Sequence, residues 1–371
     1  MTVIHYATEI HFDFGILFSL GSLCRTLEIK RPLVVTDENI VRQGIAARSI
    51  AALDGIEHVV FAEAEPNPME STVLAGLDVY SRSECDSVIA LGGGSVIDTA
   101  KAIGLLASNG GRIEDYGRPR EREIRRPLPP VIAIPTIACS GSEVSRGLGV
   151  GVGKRGAKVN VLNPRLFPSI ALCDPELTIS APSQLTAVSS ADALSHCIEG
   201  YISSRVNPPM AAVALDGMAR IWQHMEPAVR EPTNRLARWE MMMGSIEGGM
   251  VMPKGLGAAH SLAIPLDRFH LQHGAAIAVL LPKVIRWYGS FLDHKRGAML
   301  AAIGLPAEAD LADAVEGFFA RCDLPKTWSE LGVRQDSFDE IAASAVVSPY
   351  HDICIKPATK KDYIDILQSA L

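Results

Sequence analysis

The 371-residue chain is 48% hydrophobic and 21% charged, which excludes a disordered or fibrous protein and predicts a large buried core, with two domains expected at roughly 150 residues each. Its 35 basic and 42 acidic residues leave a net charge of −7, spread along the whole length, and this argues against a nucleic-acid partner.

At the N-terminus, Met1-Thr2-Val3-Ile4-His5-Tyr6 lacks a basic flank followed by an apolar core, so no secretory signal is read and a cytoplasmic location is expected. Short apolar, β-branched runs follow at Pro32 to Thr36, His58 to Phe61, Ser87 to Leu91 and Val131 to Pro135, separated by amphipathic stretches. Continuous apolar strands alternating with helices predict a parallel sheet covered on both faces. Asp37 stands just past the first of these strands, where a carboxylate can accept hydrogen bonds from a ribose 2′-hydroxyl and repel a 2′-phosphate; that favours NAD(H) over NADP(H). After the strand ending at Leu91 comes Gly92-Gly93-Gly94-Ser95 and then a helix opening. Glycines there let the backbone approach a pyrophosphate, which the exposed N–H groups and dipole of the helix end can hold. The segment Gly117 to Pro130, with five arginines and four prolines, reads as a solvated connection. Thr136 to Glu143 then places small hydroxyl side chains at another strand end, the edge where open α/β sheets bind ligands.

Beyond about Pro182 helical patterns dominate, as at Met210 to Met225 and Leu236 to Met252, so the boundary is placed near residue 180: an α/β domain over 1–180 and an all-helical domain over 181–371. Met241-Met242-Met243 is read as core filling. The apolar run at Ala275 to Leu281 is stopped by Pro282, short of the roughly 20 residues that cross a bilayer, and no membrane association is expected. The seven cysteines show no Cys-x-x-Cys spacing and are read as small buried side chains rather than a disulfide framework or zinc ribbon.

Asp192 and His196 lie four apart, hence on one helix face. His260, His270 and His273 follow in an otherwise almost purely apolar segment. Buried imidazoles need partners, and one divalent ion serves several at once. Three imidazoles with one carboxylate suit Fe²⁺ or Zn²⁺, leaving a position for a substrate oxygen that the metal would polarise.

In order along the chain, Thr36-Asp37, Pro66-Asn67-Pro68, Gly92-Gly93-Gly94-Ser95 with Asp98 and Lys101, Pro135-Thr136 with Gly141-Ser142-Glu143, Lys158, Asp192-Ala193 with His196, His260 and His273-Gly274 resemble the iron-containing (group III) alcohol dehydrogenase family, within the dehydroquinate synthase-like superfamily. The resemblance implies a Rossmann-like dinucleotide-binding α/β domain, an all-α domain and a metal in the cleft between them. It further implies that Asp192, His196, His260 and His273 bind the metal, and that Asp37, Asn67, Gly93, Gly94, Ser95, Asp98, Thr136, Ser140 and Lys158 line the cofactor site. His270 is then a spare imidazole. The activity implied is hydride transfer between NAD(H) and a small alcohol or carbonyl substrate, by a homodimer or larger homo-oligomer.

The chain departs from the family pattern in several places. Ile137, Cys139 and Ser140 replace part of the usual Thr-Thr-Ala-Gly-Thr-Gly-Ser-Glu, removing one cofactor hydroxyl and shortening another. Ile264 stands where members usually carry a histidine, so the proton route falls to His270 or to ribose hydroxyls. His273 follows His260 by thirteen positions, one fewer than the commonest pattern. Two related readings stand beside the main one: a maleylacetate reductase-like enzyme with little metal dependence, and a dehydroquinate synthase-like lyase, whose carboxylate ligand resembles a glutamate rather than Asp192.

Overall fold

The computed structural model describes residues 8–117, 120, 122–138, 141–153, 157–269 and 271–371. They form two compact units, one built from the residues up to 137 together with 141–180, the other from Ala138 and 181–371.

The first unit is a parallel sheet between helices. Its strands are β1 (Glu9–Phe12), β2 (Pro32–Val35), β3 (Val59–Phe61), β4 (Ser87–Gly92), β5 (Val131–Pro135) and β8 (Ile170–Cys173), in the order β1-β8-β5-β4-β2-β3, every neighbouring pair parallel. An antiparallel pair, β6 (Gly147–Val152) and β7 (Ala157–Leu162), stands apart from it. Side chains alternate between the sheet faces. Leu33, Val35, Val88, Ala90 and Ala133 therefore pack with Val96, Ile97 and Ile103 of the helix Gly94–Asn109, while Val34, Ile89, Leu91, Ile132, Ile134 and Leu172 pack with Leu20, Ile40 and Ile45 on the other side. Both faces are covered, which is why the interior strands read as unbroken apolar runs.

The four strands predicted from composition are all present, but the edge strand β1, the strand β8 and the hairpin β6–β7 escaped that reading. β1, Glu-Ile-His-Phe, is polar at alternate positions. Its attachment comes from far along the chain: it pairs residue for residue with β8, and the fully buried Asp174, just after β8, holds the turn that follows β1 by accepting the N–H groups of Gly15 at 3.0 Å and Leu17 at 3.2 Å. The arginine-rich connection behaves as expected where it is described. Asn109 Oδ1 accepts the N–H groups of Arg125 and Arg126, and Arg120 pairs with Glu114 and Asp115.

The second unit is helical: Ser183–Ile202, Pro208–Arg230, Arg235–Val251, Ala258–Ala263, His273–Tyr288, Asp293–Ala302, Leu311–Arg321, Phe338–Ala345 and Lys360–Gln368. Asn207 caps the second of these by accepting the N–H of Met210, and prolines occupy its first turn, where a missing N–H costs nothing. Met210, Met218, Met225, Met241 and Met242 are all buried, as core filling requires, whereas Met243 is only half-buried. The helix begun at His273 does not end at Pro282 but runs through it to Tyr288. Leu280, Leu281, Val284 and Ile285 on both sides of the proline are buried in one core, and that packing outweighs the roughly 3 kcal/mol an interior proline costs. The stretch 273–302 is long and apolar enough to cross a membrane, yet 67% of its most apolar window is buried inside the protein.

Candidate cofactor loop and metal centre

Because the six strands are parallel, their carboxyl ends share one edge, and there the first unit gathers its predicted ligand-binding residues. Thr36 Oγ1 donates to the Leu91 carbonyl at 2.9 Å, and the Thr136 N–H donates to the Gly92 carbonyl at 3.1 Å, so the ends of β2, β4 and β5 are tied together. A Cβ on Gly92 would fall 2.5 Å from Val96 Cγ2; only glycine lets the helix start this close to the strand. Gly93 at the N-cap gives the helix no side-chain acceptor, leaving the amides of Gly94 and Ser95 for an anion. Asn67, in the left-handed region at φ 59°, donates its N–H to Ser95 Oγ at 3.4 Å.

Asp98 serves the scaffold of this site: its carboxylate accepts from Ser142 Oγ at 2.6 Å and from the Gly149 N–H at 2.9 Å. The stem of Lys158 lies over that same Gly149, where an added Cβ would meet Lys158 Cε at 2.7 Å. Lys101, fully buried, donates to the Ser142 carbonyl, to Ser142 Oγ and to the Ser145 and Gly147 carbonyls; burial pushes its pKa down to about 8 against the pull of Asp98 and Glu143. Asp37 caps the helix Glu38–Arg42, one carboxylate oxygen accepting from the Asn39 and Ile40 N–H groups at 2.8 and 3.1 Å. Ser140 lies outside the described residues.

The second unit brings Asp192, His196, His260 and His273 together. Asp192 Oδ1 lies 3.6 Å from His196 Nε2, 3.5 Å from His260 Nε2 and 3.7 Å from His273 Nε2. The His196 and His260 rings stack at 4.8 Å and His273 tilts against His260 at 5.4 Å. Asp192, His196 and His260 are buried. The shortened spacing between His260 and His273 does not part them, and His270 lies outside the described residues.

Two carboxylates that sequence reasoning missed orient these rings. Glu199, with no exposure, accepts His260 Nδ1–H at 2.6 Å and the backbone N–H groups of Ala259 and His260. With the carboxylate as acceptor, Nδ1 carries a hydrogen and Nε2 is the ring nitrogen that faces Asp192. Asp267 does the same for His273, accepting from Nδ1 at 3.1 Å. The signal for Glu199 was present: it follows Asp192 by seven and His196 by three, on the same helix face. Asp267 sits in a 3-10 stretch, Ile264–Phe269, where no helical period marks it.

The residues fit a metal ion. His260 Nε2 is buried without a hydrogen-bond partner, and ligand bonds of about 2.1 Å make tetrahedral edges of roughly 3.4 Å, close to the observed carboxylate–imidazole separations. Burial would lower the pKa of His260, but Asp192 and Glu199 outweigh it and hold it up at about 9. Burial drives His196 down to about 4 despite Asp192, with the other two imidazoles adding to the fall. The cluster without metal thus keeps a proton on His260 that a cation must displace. Metal affinity is expected to rise about tenfold per pH unit below pH 9 and to level off above it, in titrations with Zn²⁺. Glu199→Gln is expected to weaken binding roughly 10- to 100-fold and to move that plateau to lower pH, because the substitution removes a carboxylate that holds His260 protonated.

Over residues 7–175 the sequence matches the family described as iron-containing alcohol dehydrogenase, and over 186–371 the C-terminal region of the Fe-containing alcohol dehydrogenase family. It is 39% identical to 4-hydroxybutyrate dehydrogenase of Cupriavidus necator across 100% of both chains. It is 30% identical to NAD-dependent methanol dehydrogenase of Bacillus methanolicus across 96% of each. A crystal structure of 1,3-propanediol oxidoreductase superposes with a TM-score of 0.93 at 30% identity, over 100% of each chain.

Proposed function

The chain belongs to the iron-containing alcohol dehydrogenase family, oxidoreductases acting on CH–OH groups, and on that premise we propose that it interconverts a small ω-hydroxy acid, 4-hydroxybutyrate foremost, and its aldehyde, using NAD(H) and one Fe²⁺ or Zn²⁺. The observation that carries the metal reading is the meeting of three imidazole Nε2 atoms within 3.5 to 3.7 Å of Asp192 Oδ1. The substrate reading rests on the 39% identity along the whole chain to a 4-hydroxybutyrate dehydrogenase.

Asp192, His196, His260 and His273 hold the ion, with Glu199 and Asp267 fixing the rings that face it. When bound, the metal polarises the carbonyl oxygen or acidifies the alcohol, and the nicotinamide carries the hydride. The amides following Gly93 hold the pyrophosphate, and the Asp37 oxygen not used in capping its helix meets the ribose. Asp37→Asn keeps a cap for the helix while removing the charge that repels a 2′-phosphate. It is expected to raise kcat/KM with NADPH at least tenfold with little change in Tm; an unchanged NADH-to-NADPH ratio would take Asp37 out of cofactor choice. Since Ile264 cannot carry a proton, we assign the relay to His270, and His270→Ala is expected to lower kcat on the order of 100-fold. Unaltered turnover and pH profile would dismiss that assignment. The buried, unpaired cysteines described suit a reducing cytoplasm.

The deciding experiment measures iron and zinc in anaerobically purified protein and follows NADH with 4-oxobutyrate. One equivalent of metal with NADH consumed supports the proposal. Full activity in metal-free protein would favour the maleylacetate reductase-like reading, and turnover of a substrate without net change in NADH the lyase.

A further inference from the structure

The helix that carries Asp192, His196 and Glu199 ends at Ile202, and beside its last turn lies an open cavity of about 390 Å³ lined by Arg205, Lys254, His294 and Lys295, with no carboxylate in its wall. Lys254 is buried, and its Nζ donates to the carbonyls of Gly200 at 2.7 Å, Ser203 at 2.9 Å and Tyr201 at 3.0 Å. All three of its N–H groups are thereby spent on the helix end. Lys295 Nζ donates to the same Tyr201 carbonyl at 2.9 Å and reaches the Ser203 carbonyl at 3.4 Å, so two ammonium groups share two acceptors. A helix C-terminus carries only about half a negative charge. One lysine satisfies it, and the second is in excess.

Among the described residues nothing neutralises the surplus: no carboxylate lies within ion-pair distance of Lys254, Lys295 or Arg205, although Arg220, for comparison, pairs with Asp216, Glu240 and Glu247. The exposed Arg205 spends one N–H on the Pro253 carbonyl at 3.5 Å, leaving the rest of its fork for a ligand. Burial and the neighbouring Lys295 push Lys254 down to about 8, as expected of like charges held together without a counterion.

We propose that this cavity binds a phosphate group, as free phosphate or as a phosphate monoester, through Arg205, Lys295 and His294, with Lys254 as a fixed positive charge behind them. A dianion matches the uncompensated charge, and a guanidinium fork with an ammonium is the donor set that phosphate oxygens take.

Calorimetric titration of the full chain with inorganic phosphate tests this, in a buffer free of other oxyanions and with saturating NADH to occupy the dinucleotide loop. One saturable site is expected, weakened at least tenfold by Arg205→Ala and by Lys295→Met. Arg205 is exposed, so its variant decides the matter should Lys295→Met fail to fold. Glycerol phosphate binding more tightly than inorganic phosphate would identify the ligand as an ester; equal or weaker binding would identify free phosphate. No saturable binding, or the same affinity in Arg205→Ala as in the parent chain, would overturn the proposal.

Discussion

Asp192→Asn is expected to abolish metal retention, leaving less than about a tenth of an equivalent of iron or zinc, and to lower kcat/KM on the order of 1000-fold, since Lewis-acid stabilisation is worth several kcal/mol and each 1.36 kcal/mol is a factor of ten. The substitution is isosteric, so the helix Ser183–Ile202 should persist and circular dichroism should not change. What is lost is the negative charge that faces all three Nε2 atoms. Burial alone would raise the Asp192 pKa, but His196, His260 and His273 together hold it below the usual carboxylate range, so the carboxylate is ionised at neutral pH. An amide supplies a neutral oxygen and a donor NH₂. The oxygen binds a divalent ion weakly, and the NH₂ can occupy the Nε2 lone pairs that Glu199 and Asp267 have turned inward. Metal content near one equivalent in Asp192→Asn, with turnover within a few-fold of the parent, would remove Asp192 from the ligand set.

The parts of this architecture that were legible in sequence are those whose residues answer to a local rule. β2, β4 and β5 stand out because burial on both faces demands unbroken Val, Ile, Leu and Ala. β1 does not, since it is polar at alternate positions and is held by pairing with β8 about 160 positions away, while β8, Ile-Ala-Leu-Cys, is as short and as apolar as β2 and was passed over. The glycines of β6, Gly-Leu-Gly-Val-Gly-Val, hid a hairpin behind a composition that reads as loop. In the helical unit, Asp192 and His196 were visible through the four-residue period, and His260 and His273 as imidazoles in an apolar setting that needed a reason. Glu199 lay on the same face but stayed unread, because its purpose is His260, 61 positions away, and that pairing exists only once the helices have packed. Pro282 misled for the converse reason: its local rule is real, and the core around Leu281 and Val284 overrides it.

Gly274→Ala is expected to be the most damaging single-methyl change near the metal centre. The added Cβ would fall 1.8 Å from the Val188 carbonyl oxygen and 3.4 Å from Asp192 Cβ, so the helix His273–Tyr288 must back away from Ser183–Ile202 by roughly an ångström, because close-packed backbone cannot yield otherwise. His273 is the adjacent residue, and its Nε2 at 3.7 Å from Asp192 Oδ1 moves with that shift. Over-packing of this kind costs about 1–3 kcal/mol of stability, readable as a lower midpoint in urea. Displacing a ligand costs more in function, and metal affinity is expected to fall 100-fold or further, beyond the 10- to 100-fold typical of losing an orienting partner. Gly297→Ala separates the two effects. Gly297 lies in the helix Asp293–Ala302 with nothing within 4 Å of the added Cβ, so alanine there should stabilise the chain by about 0.5–1 kcal/mol and leave metal binding untouched. Parent-like metal affinity in Gly274→Ala would mean that the helix end at His273 can move without carrying its imidazole away, and the close approach at Gly274 would then serve packing alone.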